Sequence, residues 1–294
     1  MLRITRVLAP NADMYTLDGT NTWVVGENPS IVVDPGPEIG VHLEEVAAVA
    51  GRVAFVLVTH DHPDHAPGAA SLARLVNAPL HAWRLEGAEH IRDHQVFQGG
   101  GFALRAIHTP GHTSDHVVFH EPVEGALFTG DVVVGRGTSF IDPPDGDLTQ
   151  YLRSLKVMQE LAPRTIYPGH GPVAFRAQEK LQQYLDHRAD RERQVLSSIA
   201  GGRHSIREMV EAIYAGYPPE VLPLAGRSVL AHLLKLEGEG AVARSGKGED
   251  ATWARAEPRA CARCGKPVKG RARYCSTCSL IILQEGGTNP TADA

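Results

Sequence analysis

The sequence predicts an α/β layered domain with a smaller helical extension and a cysteine knuckle pair behind it. Short β-branched or aromatic runs end in turn residues, amphipathic stretches alternate with them, and histidines bunch where a run ends. The strand runs are Ile31-Val32-Val33 before Asp34-Pro35-Gly36, Phe55-Val56-Leu57-Val58 before Thr59-His60, Ala126-Leu127-Phe128 before Thr129-Gly130-Asp131, and Thr165-Ile166-Tyr167 before Pro168-Gly169-His170. Helices are expected over 41–50, 66–76 and 148–161. In open α/β sheets ligands gather beyond the carboxyl ends of strands. Here each of those ends carries a potential metal ligand.

With 294 residues, of which 43% are hydrophobic and 21% charged, the chain can build a packed core without disulfide staples. The longest clean apolar run, Val53 to Val58, has six residues, far short of the roughly 18 that a membrane helix needs. The N-terminus lacks the apolar core of a secretory signal, so a cytoplasmic location and no membrane partner are expected. Metal chemistry leads among the function classes, because there are fifteen histidines and all four cysteines fall after residue 260.

The first domain is assigned to residues 1–177. Residues 178–247 read as mostly helical. Ser205-Ile206-Arg207-Glu208 resembles a capping box, Pro218-Pro219 can start a further helix, and Ala241-Val242-Ala243-Arg244 can open a hairpin. Helices followed by a hairpin give a winged-helix outline; a helical lid is the alternative. Residues 255–280 form the cysteine segment, and 284–294 are expected to be a disordered tail. From Gly240 to Cys278 nine Lys/Arg stand against three Asp/Glu, a local +6 in a chain of net charge −5. A basic appendage on an acidic body follows.

His60-Asp61-His62-Pro63-Asp64-His65 directly follows a strand. Three imidazoles and the Asp64 carboxylate in so short a stretch have no ordinary packing use. Alternate residues leaving a strand can point one way, so His60 and His62 can share a metal. Asp64 and His65 then sit at the start of the next helix and can face a neighbouring one. Imidazole nitrogen and carboxylate oxygen suit Zn²⁺, while iron and manganese tolerate a similar set. Later come His112 in Thr109-Pro110-Gly111-His112-Thr113, Asp131 and His170. Taken singly, each reads as an ordinary turn residue; their order gives them value.

These residues resemble the metallo-β-lactamase superfamily over roughly residues 10–175, with its H-x-H-x-D-H motif complete as His60, His62, Asp64 and His65. The resemblance implies an αββα sandwich with metals at one edge. It implies that His60, His62 and His112 hold one metal, that Asp64, His65 and His170 hold the second, and that Asp131 bridges both. Asp34 matches an aspartate that orients a ligand, and Thr59 is expected to support the same shell. The implied chemistry is hydrolysis by a metal-bridging hydroxide, with Asp131 and Asp64 as the candidate catalytic carboxylates. His116 is a candidate substrate contact. Asp131 stands where the zinc β-lactamases of the superfamily place a cysteine, which argues against antibiotic hydrolysis. His62 in place of Glu argues against the di-iron oxygen-reducing branch.

The helical extension and the segment around Thr109–Val118 resemble the β-lactamase-like protein 2 family, which implies an endoribonuclease on single-stranded RNA. A glyoxalase II-like thioesterase, acting on a small ester or thioester, shares the metal set and is the alternative. A mononuclear iron persulfide dioxygenase and a non-catalytic binding protein are the remaining ones. Cys261-Ala262-Arg263-Cys264 and Cys275-Ser276-Thr277-Cys278 have the spacing of a four-thiolate structural zinc ribbon. Arg263, Lys266, Lys269, Arg271 and Arg273 around it, with Tyr274, suit RNA contact. Two catalytic divalent metals and one structural zinc are therefore expected.

Overall fold

The computed structural model describes residues 2–257, 259–268, 274, 275, 277–279 and 281. The expected tail 284–294 and the basic residues Lys269, Arg271 and Arg273 lie outside the described residues. The chain divides into two compact units, Met1–His187 and Arg188–Ala294.

In the first unit, β1 (Ile4–Leu8), β2 (Asn21–Val25), β3 (Ser30–Val33), β4 (Val53–Leu57), β5 (Leu80–Ala82) and β6 (Glu89–His90) form one sheet in chain order. It is antiparallel through β3 and parallel beyond. A second sheet has the order β11-β10-β9-β8-β7, built from β7 (Val96–Gln98), β8 (Ala103–His108), β9 (Val117–Glu121), β10 (Ala126–Gly130) and β11 (Thr165–Pro168). Its β10–β11 pair is parallel and the others are antiparallel.

Side chains on a strand alternate between faces, and the first sheet uses both. Val24, Val32 and Val56 pack with Leu43 and Val46 of α1 (Gly40–Ala50) and with Leu72 of α2 (Ala69–Leu75). Their neighbours Val25, Ile31, Val33 and Leu57 pack against Leu104, Ala106, Phe119 and Phe128 of the second sheet. Each such buried Val, Leu, Ile or Phe side chain contributes about 1.5–3 kcal/mol. The opposite side of the second sheet is covered too, since Ile107, Val118, Leu127 and Ile166 are buried. Here α3 (Leu148–Glu160) buries Tyr151, Leu155 and Met158. Its N-terminus is capped by Asp147, whose side chain accepts from Gln150 N. The Tyr151 hydroxyl donates to Val132 O at 2.7 Å.

The four expected strands are present, but the helix expected from residue 66 begins at Ala69. Residues 62–66 instead form their own turn, with His65 N and Ala66 N both donating to His62 O. Gly68 then donates to Gly36 O at 2.9 Å, and a Cβ there would stand 2.9 Å from that same oxygen. Asp64 and His65 therefore leave a tight turn rather than a helix N-terminus.

The helix α4 (Ala177–Ala200) begins in the first unit and ends in the second. The second unit adds α5 (Ile206–Ile213), a 3-10 turn at Pro219–Val221, α6 (Leu222–Gly238) and a hairpin of β12 (Val242–Ser245) with β13 (Thr252–Arg255). The Ser205–Glu208 capping box is formed in both directions. Met209, Val229, Leu233, Val242 and Trp253 make one core of helices and hairpin, the winged-helix arrangement. The expected boundary at residue 247 falls inside this hairpin. Beyond it, β14 (Arg259–Ala260) pairs with β15 (Pro267–Val268) beside the first cysteine knuckle.

Candidate metal centre

The ends of five strands converge at one edge of the sandwich. Asp34 follows β3, Thr59 to His65 follow β4, His112 follows β8, Asp131 follows β10 and His170 follows β11. Two groups result: His60, His62, His112 and Asp131, and Asp64, His65, Asp131 and His170. Within each, one donor atom per residue lies within 4.8 Å of all the others. Asp131 belongs to both.

Hydrogen bonds from behind turn four of the five imidazoles inward. The Asp34 carboxylate accepts from Thr59 N at 2.7 Å and from Thr59 Oγ1 at 2.9 Å. That hydroxyl, its proton spent on Asp34, faces His60 Nδ1 at 3.0 Å as an acceptor. Asp34 Oδ2 also meets His65 Nδ1 at 3.0 Å. His112 Nδ1 meets Phe140 O at 2.7 Å, and His170 Nδ1 meets Gly19 O at 3.2 Å. A carbonyl only accepts, so Nδ1 of His112 and of His170 carries a proton, and the Nε2 atoms of His60, His65, His112 and His170 face the centre. Asp34 holds a left-handed backbone, φ 54°, which non-glycine residues adopt rarely.

The donors crowd each other. His60 Nε2 and His62 Nδ1 are 2.9 Å apart, His62 Nδ1 and His112 Nε2 3.2 Å, and His65 Nε2 and His170 Nε2 3.2 Å. Asp64 Oδ2 lies 2.9 Å from His170 Nε2, and Asp131 Oδ1 lies 3.4 Å from His65 Nε2. Asp131 Oδ1 is buried without a hydrogen-bond partner. Seven nitrogen and oxygen donors crowded together, with one Asp131 oxygen orphaned, are what cations relieve, so the residues fit a pair of divalent ions.

Electrostatics divide the two groups. Burial, and after it the proximity of His65, holds His60 well below the usual imidazole range; burial brings His112 down to about 4. Burial also opposes charge on His65 and His170, but carboxylates win. Asp34 and Asp131 raise His65 well above the usual range, and Asp131 raises His170 to about 9. Burial likewise opposes ionisation of Asp64 and Asp131, yet both are held low. The facing histidines outweigh it, His65 before His170 at Asp64 and His170 before His65 at Asp131.

His116, the expected substrate contact, lies inside the protein. It is fully buried and lies stacked on His60, ring centres 4.9 Å apart. Its Nε2 accepts from Asp131 N at 3.2 Å, so Nδ1 carries the proton and faces Thr109 Oγ1 at 3.2 Å. The ring is enclosed by His60, the Asp131 backbone and Thr109, and none of it reaches solvent. Asp115, which sequence reasoning passed over, accepts from Asp61 N at 3.0 Å and ties the two ligand loops together. An Asp-His pair just past a candidate ligand was the available signal. The carbonyls of Gly19 and Phe140 left none, since every residue has one.

In the second unit Cys261, Cys264, Cys275 and Cys278 are free thiols whose sulfurs form a third group within 4.8 Å. At Cys261 burial is outweighed by the backbone N–H groups of Cys275 and Arg263, which bring the thiol down to about 6, while burial pushes Cys278 up to about 12.

Two adjoining His/Asp groups sharing one carboxylate, at the edge of a two-sheet sandwich, define a metal-dependent hydrolase. The chain belongs to the metallo-β-lactamase superfamily, whose model matches residues 15–170, and the β-lactamase-associated winged helix domain matches residues 205–253. It is 34% identical over 269 residues to an atrochrysone carboxyl ACP thioesterase of Aspergillus chevalieri, covering 85% of this chain and 86% of that one. It is 32% identical over 263 residues to a β-lactamase-like protein 2 homolog of Drosophila melanogaster, covering 81% and 88%. A β-lactamase domain protein from Burkholderia ambifaria shares the fold, with TM-score 0.73 and 22% identity over 87% of this chain and 91% of that one. Among the described residues no helix is long and apolar enough to cross a membrane.

Proposed function

We propose that this chain is a dinuclear zinc hydrolase that cleaves a carboxylic thioester. His60, His62 and His112 would hold one ion and Asp64, His65 and His170 the other, with Asp131 shared between the two groups. Nitrogen and oxygen donors in this number suit zinc. All seven donors gather into two groups, which speaks for two ions rather than a single iron. Two divalent cations bound there would supply an acidified water and polarisation of the scissile group's oxygen. The protein's own part is to hold the Nε2 atoms of four histidines inward beside the Asp64 and Asp131 carboxylates.

The observation that carries the substrate class is the 34% identity to a thioesterase over most of both chains. A second reading, cleavage of single-stranded RNA, draws on exposed Arg263 and Lys266 at the first cysteine knuckle, with the four thiols holding a structural zinc. Four free cysteines fit a reducing, cytoplasmic setting.

The test compares the purified full chain with its Asp131→Asn variant on an acyl-pantetheine thioester, on S-lactoylglutathione and on labelled single-stranded RNA. Thioester turnover that the variant loses is the expected result. RNA cleavage alone, lost in the same variant, overturns it in favour of the second reading.

A further inference from the structure

Asn21 opens β2 and is fully buried. Its Nδ2 donates to Pro168 O at 2.9 Å and to Gly171 O at 2.9 Å. Its backbone N–H donates to Gly169 O at 2.7 Å. One residue thus grips the carbonyls on both sides of His170 from 147 to 150 positions away in sequence. The Asn21 Oδ1 atom is buried without a hydrogen-bond partner. An unpartnered buried acceptor costs free energy, so the amide stays in place for its two N–H groups.

The gripped loop has no slack. A Cβ on Gly169 would stand 2.6 Å from Asp131 Oδ1 and 2.6 Å from His65 Cε1. Gly171 takes φ 76°, open chiefly to glycine. Backbone here runs directly against two ligands, so its position along the sheet edge sets where His170 Nε2 meets Asp64 and Asp131.

We propose that Asn21 is a positioning residue for the second metal: its two amide donors hold Pro168 and Gly171 so that His170 completes the group with Asp64, His65 and Asp131. This rests on the reading of that group as a metal site. Aspartate has nearly the same shape but no donor, and it would set a negative charge against two carbonyls. Pro168 O also accepts from Trp23 Nε1 at 3.0 Å, so loss of that indole bond alone leaves the Asn21 grip in place.

The experiment strips the full chain of metal and follows Zn²⁺ binding by calorimetry, with elemental analysis of the reloaded protein. It compares wild type, Asn21→Asp, Asn21→Ser and Trp23→Phe, each also carrying Cys264→Ser to remove the cysteine site. Asn21→Asp is expected to weaken one of the two remaining binding steps about 10- to 100-fold, the usual effect of losing a partner behind a ligand. The other step stays at wild-type affinity. Asn21→Ser, with one donor in place of two, is expected to weaken the same step less, and it serves if the aspartate variant does not fold. Trp23→Phe is expected to leave that step nearly unchanged. Equal weakening of both steps, or no weakening in the aspartate and serine variants, overturns the proposal. Fewer than two binding steps in the Cys264→Ser parent overturns the metal-site reading itself, a result visible before any Asn21 variant is made.

Discussion

Asp34 Oδ2 stands 3.0 Å from His65 Nδ1, both side chains almost wholly out of solvent. Through Thr59 the same carboxylate also fixes His60, so one buried aspartate orients a ligand in each of the two groups. Asp34→Asn keeps the shape but replaces one acceptor oxygen with a donor. Metal affinity at both sites is expected to fall about 10- to 100-fold, read as metal retained after dialysis against a chelator. Full retention would show that these bonds do not orient the ligands.

His116 acts on Asp131 through the backbone N–H that it accepts. His116→Phe keeps a ring against His60 but strands that N–H in a buried place, at a cost of about 1–3 kcal/mol. Denaturant unfolding of the metal-free protein measures the loss. Steady-state kinetics on whichever substrate is turned over should show kcat falling with KM little changed. A rise in KM at unchanged stability would return His116 to the substrate surface.

In the metal-free protein His170 is raised to about 9 and His65 is also raised, which pushes both toward the doubly protonated imidazolium at neutral pH. A metal must displace those protons, since only the neutral imidazole ligates. Below the raised values protons compete; above them the competition ends. Apparent zinc affinity at this group should therefore climb from about pH 6 to about pH 9, with protons released on binding. Calorimetry in buffers of different ionisation enthalpy detects that release, and a flat profile would contradict the assignment.

Cys264 is the exposed member of the thiol group, 3.6 Å from Cys275. Cys264→Ser should lower the metal content by one ion per chain and loosen the knuckles, since a small ribbon folds on its metal. Turnover of a small thioester should remain at the wild-type level. If it is lost together with the catalytic ions, the third site is not independent of the first two.

Several elements were legible in the chain itself. The strand runs ending in Asp34, His60, Asp131 and His170 were readable because ligand-bearing turns directly follow β-branched segments. The winged helix was readable from the Ser205 capping box and from the apolar spacing of Val229, Leu233 and Leu236. The assignment of strands to two sheets was not readable from pattern alone. Strands covered on both faces show no alternation, so Val24 and Val25 look alike although one faces helices and the other the second sheet. The start of α2 was misplaced because a hydrogen bond from Gly68 to Gly36, far back in the chain, ends the preceding turn.

By itself the sequence determined the donor set: which nitrogen, oxygen and sulfur atoms are available, in what order, and that they fall into a catalytic group and a cysteine group. Side-chain chemistry and local spacing carry that information. Only the tertiary structure decided which ring nitrogen each histidine turns inward, that His116 is buried against His60, and that Asn21 grips the His170 loop. Those outcomes depend on carbonyls such as Gly19 O and Phe140 O, which are identical along the chain until folding brings one particular oxygen to one particular imidazole.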